Sequence, residues 1–181
     1  MNNIILIGFM GAGKTTAGKL LAQESGMDFV DTDDRITAWQ GRSIPDMFAE
    51  HGEGFFRDLE TELLKMMQED TSHAVISVGG GMPVRAENRE LLRSLGCVVY
   101  LTAEKETILG RVKSDGSRPM LAGDSLERRV ERLMEERENC YRQAAHLCVR
   151  TDRRSVRQVV QIIRQETRRY LDIDPAIEKN G

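Results

Sequence analysis

Gly8-Phe9-Met10-Gly11-Ala12-Gly13-Lys14-Thr15 carries the spacing G-x-x-x-x-G-K-[ST] position for position. Each residue type has a task in holding a phosphate chain. Glycines let backbone N–H groups wrap an anion, and a helix starting just after the loop adds the positive end of its dipole. Lys14 can reach the β- and γ-phosphates of a bound nucleotide, and the Thr15 hydroxyl can take a place on Mg²⁺. Gly11, Ala12, Gly13, Lys14, Thr15 and Thr16 are therefore the candidate nucleotide-binding residues. A random match in a chain of this length has odds on the order of one per cent, from average residue frequencies.

Such a loop works only between a buried strand and a helix, and the sequence supplies both. Ile4-Ile5-Leu6-Ile7 reads as a buried strand, and a helix is expected over about 14–24. A short second strand falls at Phe29-Val30, and a helix over 55–67 would set Phe56, Leu59, Leu63 and Met66 on one face. Ala74-Val75-Ile76-Ser77-Val78 is a third strand, 85–94 a helix, 97–101 a fourth strand and 104–112 a helix. Residues 113–124 hold Gly116, Pro119 and Gly123 without periodicity, the mark of a loop. A charged helix over 126–145, a fifth strand at Leu147-Cys148-Val149 and a last helix complete the chain. That last helix is expected to carry Val156, Val159, Val160, Ile163 and Tyr170 on one face. Apolar strands separated by helices mean a parallel sheet covered on both faces. The fold expected is a three-layer α/β/α P-loop kinase fold, with a central five-stranded parallel sheet and a mobile lid at about 113–124. It forms a single domain over 1–171, with 172–181 a flexible tail. In such sheets ligands sit beyond the carboxyl ends of the strands.

No N-K-x-D or D-x-x-G guanine-switch pattern occurs, nor the H-R-D and D-F-G pair of protein kinases. Beside the phosphate loop stand Asp31-Thr32-Asp33, Gly79-Gly80-Gly81 and the run Gly52-Glu53-Gly54-Phe55-Phe56-Arg57-Asp58-Leu59-Glu60. Arg118-Pro119-Met120-Leu121 and the helix end Arg137 to Tyr141-Arg142 follow. Together these resemble the shikimate kinases, over residues from about Asn3 to Ile163.

The resemblance implies transfer of the γ-phosphoryl group of ATP to shikimate, with Mg²⁺ required. It implies that Arg57 and Arg137 bind the acceptor's carboxylate, which planar guanidinium groups hold in pairs of hydrogen bonds. Glu60, one turn after Arg57, would orient it. Asp33 matches the aspartate that contacts the acceptor hydroxyl, as proton acceptor or as orienter of the oxygen. Asp31 matches a carboxylate on the metal side. Capping a helix is the plain structural role for such a pair, and exposed ion pairing is the plain role for the two arginines. Gly79, Gly80 and Gly81 would let backbone approach the substrate ring, where a simple flexible turn is the alternative. Arg118 would bring positive charge to the transferring phosphate from the lid, and Arg111 and Arg154 match positions beside the adenine. Lys14, Asp33 and Arg118 are thus the expected catalytic set. A kinase for gluconate or a nucleoside monophosphate, or a nucleotide-binding regulatory module without turnover, are the competing readings.

Composition agrees with a globular domain: 40% of the 181 residues are apolar and 30% charged, with a net charge of -3. That charge gives no reason to expect nucleic acid or a membrane surface as partner. The seven arginines between Arg150 and Arg169 read as a solvated helix face. Cys97, Cys140 and Cys148 have no metal-ligand spacing and are expected as core thiols of a reduced cytoplasm. His51, His73 and His146 receive no role. No basic leader precedes Ile4, and a cytoplasmic monomer is expected.

Overall fold

Strands without polar alternation must be covered on both faces, and the architecture follows from that. The computed structural model describes residues 2–114 and 126–170. Strands β1 (Ile4–Ile7), β2 (Asp28–Asp31), β3 (Ala74–Ser77), β4 (Cys97–Thr102) and β5 (Leu147–Arg150) form one parallel sheet in the order β2-β3-β1-β4-β5. β1 lies at its centre, with Ile4 level with both Val75 and Cys97. Every residue of β1 and β3 is buried, as is all of β4 except Thr102. Truncating any large one of them to alanine would cost about 2–5 kcal/mol.

Helices α1 (Lys14–Ser25) and α7 (Val156–Thr167) pack on each other and make one covering layer. The other is a chain of contacts running from α3 (Ile44–Asp70) through α4 (Ala86–Leu95) to α6 (Leu126–Ala144). Two further helices, α2 (Thr32–Gln40) and α5 (Lys105–Ser114), follow the carboxyl ends of β2 and β4. Buried Asn3 ties the lower edge of the sheet together. Its amide donates to the carbonyls of Thr71 and Leu95, and its oxygen accepts from the Ala74 N–H.

Several local expectations need correction. Met66 is 44% exposed, while Leu63, Leu64 and Met67 are buried, because the inward stripe of α3 follows Phe56, Leu59, Leu63 and Met67. Helix α2 and the first turns of α3 are additional elements. They bury little beyond Ile36 and Met47, so apolar periodicity does not announce them. Gly52, at φ 77° and ψ 175°, breaks α3 in two. Helix α5 runs on to Ser114, taking in Lys113 at the edge of the expected lid. Val156 opens α7 at 38% exposure and faces a cavity rather than the core. Cys97 is buried but Cys148 is exposed, because β5 is an edge strand. The rest of the lid, with Arg118, and the tail from 172 lie outside the described residues. Among the described residues, no helix is long and apolar enough to cross a membrane.

Candidate active site

The phosphate loop joins the end of β1 to α1 at the middle of the sheet. Gly11 and Gly13 have φ of 75° and 96°, left-handed values that an L side chain rarely adopts. The loop closes on itself through the Ala12 N–H to the Phe9 carbonyl at 3.1 Å, and α1 starts with the Ala17 N–H on the Gly13 carbonyl. The Lys14 ammonium donates to the carbonyls of Gly8 and Phe9, at 2.8 and 3.1 Å, which holds it across the loop. A cavity of about 400 Å³ is lined by the loop from Met10 to Ala17, Thr16 included, and by Arg111, Thr151, Arg154 and Val156. Arg111 donates to the Gly11 carbonyl at 2.9 Å, tying α5 to the loop, and Arg154 donates to the Arg150 carbonyl. Both expected adenine-side arginines therefore border the same cavity as the phosphate loop.

The Thr15 hydroxyl lies 3.2 Å from Asp31 Oδ2 and 3.5 Å from Ser77 Oγ. Asp31 has two tasks at once, since its Oδ1 accepts from the Asp33 N–H at 3.1 Å and caps α2. Capping and proximity to Thr15 are thus compatible, one oxygen serving each. These oxygens, one carboxylate and two hydroxyls, are the hard donor type that Mg²⁺ takes alongside phosphates and waters.

Gly79-Gly80-Gly81 leaves the end of β3 and runs between the remaining site residues. A Cβ at Gly79 would stand 2.6 Å from Asp33 Oδ1 and 3.1 Å from Glu60 Oε1. One at Gly81 would fall among the guanidinium nitrogens of Arg57, and one at Gly80 would stand 3.8 Å from Arg137. Gly79 and Gly81 are thus needed for room, while a Cβ at Gly80 would make ordinary contacts. The Gly80 carbonyl accepts from Tyr141 Oη at 2.6 Å, and Tyr141 is itself hydrogen-bonded to Arg137. Arg57 is held from two sides, by Glu60 at 2.7 Å and by Glu53 at 2.7 Å. Asp33, Arg57, Gly79 to Gly81 and Arg137 are thereby brought together, a few residues from the phosphate loop. Sequence reasoning missed Ser77 and Glu53. The lone hydroxyl at the end of an apolar strand was the available signal for Ser77.

Glu60 is fully buried, and its second oxygen, Oε1, has no hydrogen-bond partner among the described residues. Burial pushes its carboxyl up to about 7, against the pull of the Arg57 guanidinium and with the help of the neighbouring Asp33 charge. A raised carboxyl favours the folded state below the unfolded value near 4.5, and that contribution is lost as pH rises through about 7. Glu60→Gln should therefore flatten the stability curve between pH 6 and 8, by about 1–2 kcal/mol at the order-of-magnitude level. Urea unfolding of parent and variant at both pH values tests it, and an equal pH difference in the two proteins would refute the assignment.

A phosphate loop at the head of a five-stranded parallel sheet, with carboxylates and arginines gathered beside it, defines a P-loop kinase acting on a small molecule. Residues 10–168 match the family model of shikimate kinase. The chain belongs to the shikimate kinase family. It is 44% identical over 160 residues to the shikimate kinase of Symbiobacterium thermophilum, covering 87% of this chain and 91% of the relative. With that of Enterococcus faecalis it shares 43% over 168 residues, 92% of this chain and 98% of the other. The solved structure of shikimate kinase from Acinetobacter baumannii in complex with shikimate superposes with a TM-score of 0.86 at 38% identity, covering 92% of each chain.

Proposed function

We propose that this enzyme transfers the γ-phosphoryl group of ATP to the 3-hydroxyl of shikimate, giving shikimate 3-phosphate and ADP, a step toward chorismate and the aromatic amino acids. The observation that carries the reading is the gathering of Arg57, Arg137 and Asp33 around the Gly79–Gly81 turn, beside the phosphate loop. Two guanidinium groups suit a carboxylate, and a carboxylate suits a hydroxyl acceptor, which is the polarity of shikimate.

In this reading the N–H groups of Gly11, Ala12, Gly13, Lys14, Thr15 and Thr16 bind the nucleotide phosphates. Lys14 meets the β- and γ-phosphates. Arg111 and Arg154 flank the adenine. Arg57 and Arg137 bind the acceptor's carboxylate, and the backbone of Gly79, Gly80 and Gly81 meets its ring. Asp33 takes the proton of the attacking hydroxyl or orients its oxygen, and Arg118 adds positive charge at the transferring phosphate. Thr15 and Asp31 would hold Mg²⁺, which supplies charge neutralisation to the phosphates when bound. Rate enhancement comes from positioning and from fixed charge. All these groups belong to one chain, so a monomer suffices, and a cytoplasmic setting provides the ATP. ADP release measured with shikimate, gluconate and AMP offered separately tests the assignment. Turnover with shikimate alone is expected, and a preference for either other acceptor would overturn it.

A further inference from the structure

A fully buried asparagine stands outside every role assigned so far. Asn88 lies in the first turn of α4, at 0% exposure. Burying an amide is costly unless its ends are bonded, and asparagine is a poor helix former, so its place here rests on the hydrogen bonds it makes. Both ends are bonded. Its Oδ1 accepts from the Thr61 hydroxyl at 2.7 Å, and its Nδ2 donates to the Met82 carbonyl at 3.0 Å.

The two partners lead to the two walls of the acceptor side. Thr61 is one turn beyond Arg57 on α3 and lies 3.0 Å from the Arg57 carbonyl. Met82 directly follows the glycine turn, and its N–H closes that turn on the Gly79 carbonyl at 3.1 Å. Asn88 thus spans from the turn of helix that carries Arg57 to the backbone that Arg57 faces. The clearance there is small, since a single Cβ on Gly81 would strike the guanidinium. Among the described residues, the hydrogen bonds of Asn88 and Thr61 lead to Met82, Arg57 and Arg85 rather than to the phosphate loop.

We infer that Asn88 and Thr61 are positioning residues for the acceptor. By fixing the glycine turn against α3, they set the geometry in which Arg57 meets a substrate carboxylate. The inference rests on the function proposed above and adds residues that touch neither substrate. Thr61→Val keeps the side-chain shape but removes the hydroxyl, leaving the Asn88 oxygen buried without a donor. Thr61→Ser keeps the hydroxyl and is the rescue control.

The test compares shikimate and ADP binding, together with steady-state constants, in the parent, Thr61→Val, Thr61→Ser and Asn88→Ala. Thr61→Val and Asn88→Ala should raise the shikimate Kd and KM about tenfold, as loss of one buried hydrogen bond at a binding wall does. ADP affinity and the KM for ATP should stay within about twofold of the parent, and Thr61→Ser should bind shikimate as the parent does. Unchanged shikimate affinity in Thr61→Val would overturn the inference. So would a parallel loss of ADP affinity, or a serine variant no better than valine. Should Asn88→Ala not fold, the valine and serine pair decides alone. A parent that neither binds nor phosphorylates shikimate sinks the function itself and this inference with it. A parent that does both, beside variants that bind normally, sinks the tether only.

Discussion

Lys14→Met should lower turnover by at least 10²–10³-fold while leaving the fold intact, the range seen when one preorganised charge or donor is removed from a site of developing charge. The side chain keeps its length and loses its ammonium. In the protein that ammonium donates to the Gly8 and Phe9 carbonyls, both on the phosphate loop. Gly8 and Phe9 are buried, so leaving their carbonyls without this donor should cost about 1–3 kcal/mol, less than the stability of a typical domain. The effect belongs in kcat, because positive charge at the transferring phosphate matters most as charge redistributes. ADP release with ATP and shikimate saturating, alongside a thermal melt, checks both halves. A folded variant with parent-like turnover would remove Lys14 from the chemistry.

How far the sequence carried the reading depends on what each part of it encodes locally. The phosphate loop was legible because its constraints lie within eight consecutive positions, and the backbone matches them, with Gly11 and Gly13 in left-handed conformations. The central strands β1, β3 and β4 were legible because buried parallel strands leave apolar runs with no polar interruption, whereas the edge strands β2 and β5 offered only the short runs Phe29-Val30 and Leu147-Cys148-Val149. Helix α2 was not, since its nine residues bury only Thr32 and Ile36 and are held by the Asp31 cap rather than by an apolar face. The inward face of α3 drifted by one residue, from Met66 to Met67, because a 3.6-residue repeat does not keep a seven-residue register over the roughly three turns from Phe56. The acceptor side was legible only through family resemblance. Its members come from α2, α3, the β3 turn and α6, and no local pattern records that Gly81 stands against Arg57 or that Tyr141 meets the Gly80 carbonyl. The Asn88 tether shows the same limit, as a lone asparagine in a helix looks solvated until its burial is known.

That contact between Gly81 and Arg57 gives the second large effect. Arg57→Ala should weaken shikimate binding by on the order of 2–5 kcal/mol, the range for truncating one partner of a buried, hydrogen-bonded charge pair. Part of that cost is Glu60, which would keep its burial and lose its cation. Gly81→Ala should reach much of the same loss by a different route. Its φ of -95° and ψ of -15° suit alanine, so the backbone carries no strain, and the three atoms nearest the added methyl all belong to the Arg57 guanidinium. The guanidinium must then leave Glu60 and Glu53, or the turn must move away from it. Either response spoils the carboxylate site while the core stays intact, so the melting temperature should fall by only a few degrees. ADP affinity should hold in both variants, because neither residue touches the phosphate loop. The double variant is the sharpest measurement. If Gly81→Ala acts by displacing Arg57, it should cost almost nothing further once Arg57 is already alanine, and the two single effects should be strongly non-additive. Additive losses would mean that Gly81 acts through something other than Arg57, and the geometry assigned to the acceptor's carboxylate would then be wrong.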